Sequence, residues 1–458
     1  MKQKTRIVLI GAGSREFSRA LIHDLVLEKP LHDSCALHVV MVDVNAAALD
    51  VMCEYARHCA ESVGSAVTFE ATTDRRAALK NASFVLISVA VKRMELWEQD
   101  FRVPFAFGLR HTYGENGGPG AAFHALRNFQ IVLPICRDIE ELCPEAWILN
   151  FTNPEARILT AILTLTKVKA IGLCHGFYSF RTLVQTVLGR PLEELDVRTA
   201  GINHFYTYYR ISSKSDNRDL IPDFESRLKK DSNKLPPLVR YLWKTFGALG
   251  YASDEHVGEY VGFAHEFMDA LWPFGIEHRA VSPDEQGVDG RTMFEAWRRG
   301  VDVGTYIRED MAGREREALA AVKGVRKEDI RRSGELAVPV ISDIILDRKG
   351  WRESVNVMNS AGFIENLDRD TAVELPAMVD ARGVHPDSVG RLPEGFACLI
   401  RQQQMVQRLL VQAYKERSRH LLLQALLIDP VSSGHAHQVE LMMDHMLKIQ
   451  AAYLPEFG

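Results

Sequence analysis

The chain contains no apolar run of the roughly 18 residues that would cross a bilayer, so no membrane span is expected. No block of like charge extends beyond three or four residues, and the formal net charge is −5. A basic footprint for nucleic acid is therefore missing. The mixed stretch Arg326-Lys327-Glu328-Asp329 reads as a solvated face. The seven cysteines are irregularly spaced and form no CxxC pair, which excludes a disulfide framework and points to a reducing cytoplasm. The apolar run Ile7–Ile10 behind the basic N-terminus is too short for a secretory signal. Repeats and low-complexity segments are absent. What is present is ordinary globular composition, 47% hydrophobic and 25% charged over 458 residues, enough for roughly two or three domains.

Ile7–Ile10, ended by Gly11, predicts a buried parallel strand. Ser14–Leu27 places Phe17, Ala20, Leu21 and Leu25 at helical spacing. A second strand, Leu37–Val42, closes on Asp43, and Ala46–Ser62 is a second helix. Val67–Ala71 reads as a short strand, Asp74–Lys80 as a helical turn and Phe84–Ala90 as another buried strand. Arg102–Gly120 reads as irregular, Phe123–Cys143 as a long amphipathic helix, Trp147–Asn150 as a strand, Glu155–Thr166 as a helix, and Lys169–Leu173 as a strand running directly into Cys174 and His175. This alternation predicts an α/β fold with a Rossmann-type doubly wound parallel sheet over residues 1–194. Beyond Pro191 the pattern changes. Gly201–Arg210 is aromatic and extended, Asp216–Lys234 is linker or exposed helix, and Val239–Gly250 and residues 285–330 are helical. Val355–Asn359 and Ala372–Ala377 read as strands and Arg401–Leu427 as one long helix. A C-terminal α+β domain is expected over 195–458.

The first strand-to-helix turn reads Gly11-Ala12-Gly13-Ser14, with Glu16 where a third glycine would complete the dinucleotide fingerprint. Gly11 permits the tight turn, and Gly13 lets the backbone approach a pyrophosphate at the helix N-terminus, beside Ser14. Asp43 ends the second strand 30 residues after Gly13. A carboxylate there bonds ribose hydroxyls and repels a 2′-phosphate, which favours NAD over NADP. A helix cap at Asp43 is the competing reading.

Three later segments bear on chemistry: Asn150-Phe151-Thr152-Asn153-Pro154, Gly172-Leu173-Cys174-His175-Gly176 and Gly201-Ile202-Asn203-His204. The first two lie at strand ends, the edge where open α/β sheets bind ligands. A thiolate and an imidazole can hold a divalent metal with positions left for substrate oxygens. A lone Cys is more often a small buried hydrophobe and a lone His a satisfied structural group, so the residues alone leave Cys174 and His204 open. A Rossmann half alone also leaves room for a plain NAD-dependent 2-hydroxy acid dehydrogenase or a non-catalytic NAD sensor.

Taken in order, the Gly11–Ser14 turn, Asp43, Gly117-Gly118-Pro119-Gly120, Asn150–Pro154, Cys174-His175, Gly201–His204, Glu255-His256-Val257-Gly258-Glu259-Tyr260, Val355–Asn359 and Val373-Glu374-Leu375-Pro376 resemble glycoside hydrolase family 4, the NAD- and metal-dependent glycosidases, over residues 5 to 430. The resemblance implies a fold like that of lactate and malate dehydrogenases and a hydrolysis unlike the usual two-carboxylate route. NAD⁺ would take a hydride from the sugar C3, a base would remove the acidified C2 proton, the C1 group would leave, and water and hydride would return. A cation, Mn²⁺ or similar, would stabilise the enolate. The same resemblance implies Cys174 and His204 as metal ligands, Asn153 as a substrate contact, His175 as general acid and Tyr260 as the C2 base. His175 also reads as a group orienting Cys174, Tyr260 as a packed aromatic, and His256 as a metal, substrate or structural residue. A homodimer or homotetramer is the family habit.

Family members acting on 6-phospho-sugars carry other loops in place of Cys174-His175-Gly176-Phe177, and an arginine where this chain has Trp97. The CHG loop resembles that of α-glucuronidases, its glycine leaving room for a C6 carboxylate. An α-glucuronide is therefore the expected substrate, with α-galactosides and α-glucosides next. Arg93, Arg110 and Arg279 are candidates to meet that carboxylate. The chain departs from the family pattern at Glu115, where an aspartate is usual, and at Ala121, where a glycine is usual.

Overall fold

The computed structural model describes residues 2–267 and 326–458. Arg279 and most of the helical reading over 285–330 lie outside these residues; of that stretch, Lys327–Asp329 is a single 3-10 turn. The β1 strand (Gln3–Ile10) pairs in parallel with β2 (Cys35–Val42) on one side and β4 (Phe84–Ile87) on the other. With β3 (Thr68–Thr72), β5 (Trp147–Asn150) and β6 (Lys169–Gly172), the parallel order is 3-2-1-4-5-6, that of a doubly wound dinucleotide-binding sheet. The alternation of side chains explains the unbroken apolar strands. Ile7, Leu9, Val39, Met41 and Leu149 enter the core on one face; Val8, Ile10, Val40, Val42 and Ile148 enter the core on the other.

Helices Arg15–Leu27 and Ala46–Val63 cover the first face through Leu21, Ile22, Leu25, Leu49 and Met52. Helices Gly118–Leu142 and Glu155–Leu165 cover the second through Phe123, Leu126, Phe129, Ile158 and Ile162. The sheet does not stop at β6. The antiparallel strands β7 (Leu195–Ile202), β8 (Phe205–Ser213), β9 (Gly350–Met358) and β10 (Ala372–Asp380) extend it from the β6 edge in the order 9-10-7-8, and β11 (Gly383–Pro386) pairs with β10.

Three local expectations change, and one is made specific. Arg102–Gly120 is not wholly irregular, because a helix spans Arg93–Ala106 and includes Pro104, and the next helix already starts at Gly118. Pro104 cannot donate to the Asp100 carbonyl four residues back, and Gly120 closes on that carbonyl so tightly that a Cβ would lie 2.4 Å from it. Gly201–Arg210 is not one extended segment but a hairpin, in which Ile202 pairs with Phe205 around the turn Asn203-His204. The Asp216–Lys234 stretch contains the amphipathic helix Ile221–Lys230, which buries Phe224 and Leu228. Arg401–Leu427 is two helices, Glu394–Glu416 and Arg419–Ile428, broken at Arg417 with φ 55°.

Candidate active site

The first glycine of the β1 turn has φ +90°, and a Cβ there would lie 1.9 Å from the Ser88 carbonyl oxygen; no other residue fits at Gly11. Asp43 stands beside this turn. Its Oδ2 accepts from the Gly13 N–H at 2.8 Å and its Oδ1 from the Asn45 N–H at 2.9 Å. The cap of the following helix is Asn45, which accepts from the Ala48 N–H. Asp43 is thus not the helix cap. Each of its oxygens retains a lone pair for ribose hydroxyls. Gly11, Ser14 and Asp43 line a cleft of about 850 Å³ that runs past Ser88 and Val89 to Asn153, Glu115 and Arg93. That volume suits a bound cofactor.

At the far end of the cleft, Glu115 is the hub. Its Oε1 accepts from Arg93 at 3.1 Å and from Asn153 Nδ2 at 3.3 Å. Asn153 lies just past β5, and Cys174 just past the adjacent β6, where the Leu173 N–H donates to the Asn150 carbonyl. Both side chains therefore leave the sheet at its carboxyl edge. His204 reaches the same place from the β7–β8 turn, held at φ +65°. The two residues, 30 positions apart, meet with Cys174 Sγ 3.3 Å from His204 Nε2.

A cation bound by both at ordinary Zn–S and Zn–N lengths would set sulfur and nitrogen about 3.1 Å apart for a right-angle bite and about 3.6 Å apart for a tetrahedral one. The observed spacing lies between. Burial holds His204 below the usual imidazole range and therefore neutral, the form that ligates metals. Burial, then the charge of Glu374, pushes the Cys174 thiol up to about 11, so a nearby cation is needed to make it a thiolate. Among the described residues no third His, Cys, Asp or Glu completes a protein-only cage. This pair would leave coordination positions for substrate oxygens.

Aromatic rings wall the pair. Tyr251 stacks on His256 at 4.4 Å and sets its edge against His204 at 5.0 Å; Tyr113 stacks on the other side of His256, and Trp97 packs on Tyr113. The Trp97 indole donates to the Tyr113 carbonyl, and Trp97 is a buried packing residue. Burial lowers His256 to about 4, which keeps it neutral. Gly176 does not open space for a sugar carboxylate, because Tyr251 fills it: a Cβ at Gly176 would lie 2.5 Å from the Tyr251 ring.

His175 faces outward, with its side chain 74% exposed, and pairs with Glu335 at 3.0 Å. That hydrogen bond pushes its imidazole up to about 9, so it carries a proton at neutral pH. Tyr260 is placed differently from the base expected of it. It is 4% exposed, stacks on Phe205, and its hydroxyl donates to the Asn203 carbonyl at 3.0 Å. Burial raises its pKa well above the usual phenol range. A hydroxyl committed as a donor in the core is a poor proton acceptor; the Tyr251 ring packs edge-on with His204, and burial raises that phenol above its usual range as well. The sequence reading missed Tyr251 and Glu335. The signal for Tyr251 was an aromatic directly after Gly250 in a glycine-punctuated stretch; Glu335 gave none, since its partner lies 160 positions away.

The chain matches the description Family 4 glycosyl hydrolase over residues 6–190 and the family's C-terminal domain over residues 199–432. An alpha-glucosidase of Erwinia rhapontici is 30% identical over 98% of this chain and 99% of the relative. An alpha-galactosidase of Bacillus subtilis is 28% identical over 99% of both, and an alpha-galacturonidase of Thermoanaerobacter italicus 27% identical over 93% and 91%. The solved structure of a 6-phospho-alpha-glucosidase from gut microorganisms, in complex with NAD and Mn²⁺, matches all of both chains with a TM-score of 0.77 at 20% identity. A malate dehydrogenase from Plasmodium falciparum matches with a TM-score of 0.50 at 12% identity, over 91% of this chain and 99% of that one. These likenesses place the fold among Rossmann-type, malate dehydrogenase-like enzymes. The chain belongs to glycosyl hydrolase family 4.

Proposed function

We propose that this enzyme hydrolyses non-phosphorylated α-glycosides with NAD and a divalent cation, through transient oxidation at C3, proton removal at C2, elimination at C1 and addition of water. The observation that carries this reading is the 3.3 Å approach of Cys174 Sγ to His204 Nε2, at the sheet edge where the dinucleotide cleft also ends in Asn153. Relatives named for α-glucosides, α-galactosides and α-galacturonides support the α-linkage, and the family structure solved with NAD and Mn²⁺ supports both cofactors. When bound, NAD⁺ would supply the hydride acceptor and a divalent cation such as Mn²⁺ a Lewis acid.

The chain's own residues do the rest. Gly11, Gly13 and Ser14 receive the pyrophosphate and Asp43 the ribose. Cys174 and His204 hold the cation, and Asn153 with Glu115 orients the sugar hydroxyls. Tyr251 Oη, rather than Tyr260 Oη, would take the C2 proton, once a bound cation lowers a phenol that burial raises above its usual range. The His175 imidazolium delivers a proton to the leaving oxygen. An α-glucuronide is the first candidate substrate. A relative named alpha-galacturonidase supports a uronide, and Arg93, half exposed at the cleft, offers a guanidinium to its carboxylate. Residues 1–194 form the NAD-binding part and 195–458 the part that contributes to metal, substrate and assembly as a homodimer or homotetramer. Seven free cysteines suit a reducing cytoplasm, and among the described residues no helix is long and apolar enough to cross a membrane.

The test is a panel of aryl α-glucuronide, α-galactoside and α-glucoside with NAD⁺ and Mn²⁺. Phenol release without net NADH is expected, fastest from the glucuronide. Stoichiometric NADH without phenol would identify a dehydrogenase instead.

A further inference from the structure

We propose that Glu259 is a positioning residue for the glycosidase reaction, aiming Glu115 at the substrate by gripping the backbone of the loop that carries it. The proposal rests on the glycosidase reading above. Glu259 has no exposed surface, yet its Oε1 accepts from three consecutive backbone N–H groups: Glu115 at 2.6 Å, Asn116 at 2.8 Å and Gly117 at 3.3 Å. Gly117 is obligatory for this grip, since a Cβ there would lie 2.3 Å from the Glu259 carbonyl oxygen. The next amide, Gly118 at the start of the long helix, acts on Asp429. Arg157, itself buried, lies 3.7 Å from Asp429 and acts on Glu259 as well. Two carboxylates remote in sequence thus satisfy a helix N-terminus that would otherwise attract a foreign anion.

This is an expensive way to stabilise a loop. Burial makes this carboxyl costly to ionise and pushes it up to about 8, and Glu259 Oε2 has no hydrogen-bond partner. What the arrangement secures is place. The loop's one cleft-facing charged side chain, Glu115, takes its direction from these amides and hands it to Asn153 and Arg93. The next residue, Tyr260, ties the turn that presents His204. Two consecutive side chains therefore set the glycine loop and the His204 turn relative to one another.

The experiment is a double-mutant cycle of Glu259→Ala with Glu115→Ala, read in KM and kcat for the aryl α-glycoside and in Kd for NAD⁺. If Glu259 acts through Glu115, E259A raises KM about tenfold, leaves the NAD⁺ Kd within about twofold, and adds less than about twofold to E115A. Glu259→Gln keeps the acceptor oxygen and restores KM to within about threefold of wild type. A merely structural Glu259 would multiply its effect onto E115A and weaken NAD⁺ equally, and either result overturns the proposal. Should E259A fail to fold, Glu259→Asp, which keeps the carboxyl but withdraws it by one methylene, takes its place in the cycle with the same outcomes. Wild-type enzyme idle on every glycoside overturns the glycosidase reading itself, a failure visible before any substitution is made.

Discussion

The hydroxyl of Tyr260 donates to the carbonyl oxygen of Asn203, the residue before His204, and so ties the hairpin turn to the buried Glu259-Tyr260 segment. Tyr251 instead packs edge-on with the His204 ring itself. The two phenols then differ in what their loss does. Tyr251→Phe should abolish C2 deuterium incorporation into the released sugar in D₂O. Tyr260→Phe loses one buried hydrogen bond worth about 1 kcal/mol, and should lower stability by that order while keeping C2 exchange. NMR of the product decides it; the reverse pattern would return the base role to Tyr260.

Glu335 sets the alkaline limit of activity in this account. Its hydrogen bond raises His175 to about 9, and a general acid must be protonated to act. Removing the carboxylate with Glu335→Gln lets the imidazole fall toward its free value of about 6.5. The alkaline limb of the pH–kcat/KM profile should move down by about two units, with little change near pH 6. An unmoved limb would remove His175 from proton delivery.

Acid should unfold the protein through its buried neutral histidines. His111, hydrogen-bonded to the Phe101 carbonyl and stacked on that ring, and His124, bonded to the Glu115 carbonyl, are both held down to about 4 by burial. Because the native pKa lies below the unfolded one, the unfolded chain binds more protons between about pH 6.5 and 4. Stability is complete above that window and falls as pH drops through it, by about 3 kcal/mol per histidine as an order of magnitude. Urea unfolding at pH 7 and pH 4.5 measures the decline. His111→Phe, which keeps the ring stack, should flatten it, and equal stability at the two pH values would contradict the account.

How much of this was legible in the sequence depends on the range of the interaction. The parallel strands were readable because burial on both faces leaves unbroken apolar runs, and Gly11 was readable because a strand-end glycine before a helix has few other uses. The helix Arg93–Ala106 was not, because Pro104 and a mixture of charged and aromatic residues hide its period. The break at Arg417 was hidden because a positive φ at an arginine leaves no mark in composition. In the site, Cys174 and His204 were legible only through resemblance. Glu259 and Glu335 act on partners more than 140 positions away, and no local pattern announces such contacts. Gly176 shows the opposite failure: a glycine read as space for a ligand is instead space taken by Tyr251.

The central claim is that Cys174 and His204 together hold a cation, and Mn²⁺ binding followed by electron paramagnetic resonance tests it without relying on turnover. NAD-loaded wild-type enzyme should take up one equivalent of Mn²⁺. Cys174→Ser and His204→Ala should each weaken that binding by about a hundredfold while the NAD⁺ Kd stays within about twofold. Undiminished Mn²⁺ uptake by both variants would contradict the assignment and, with it, the cation-assisted cleavage built on it.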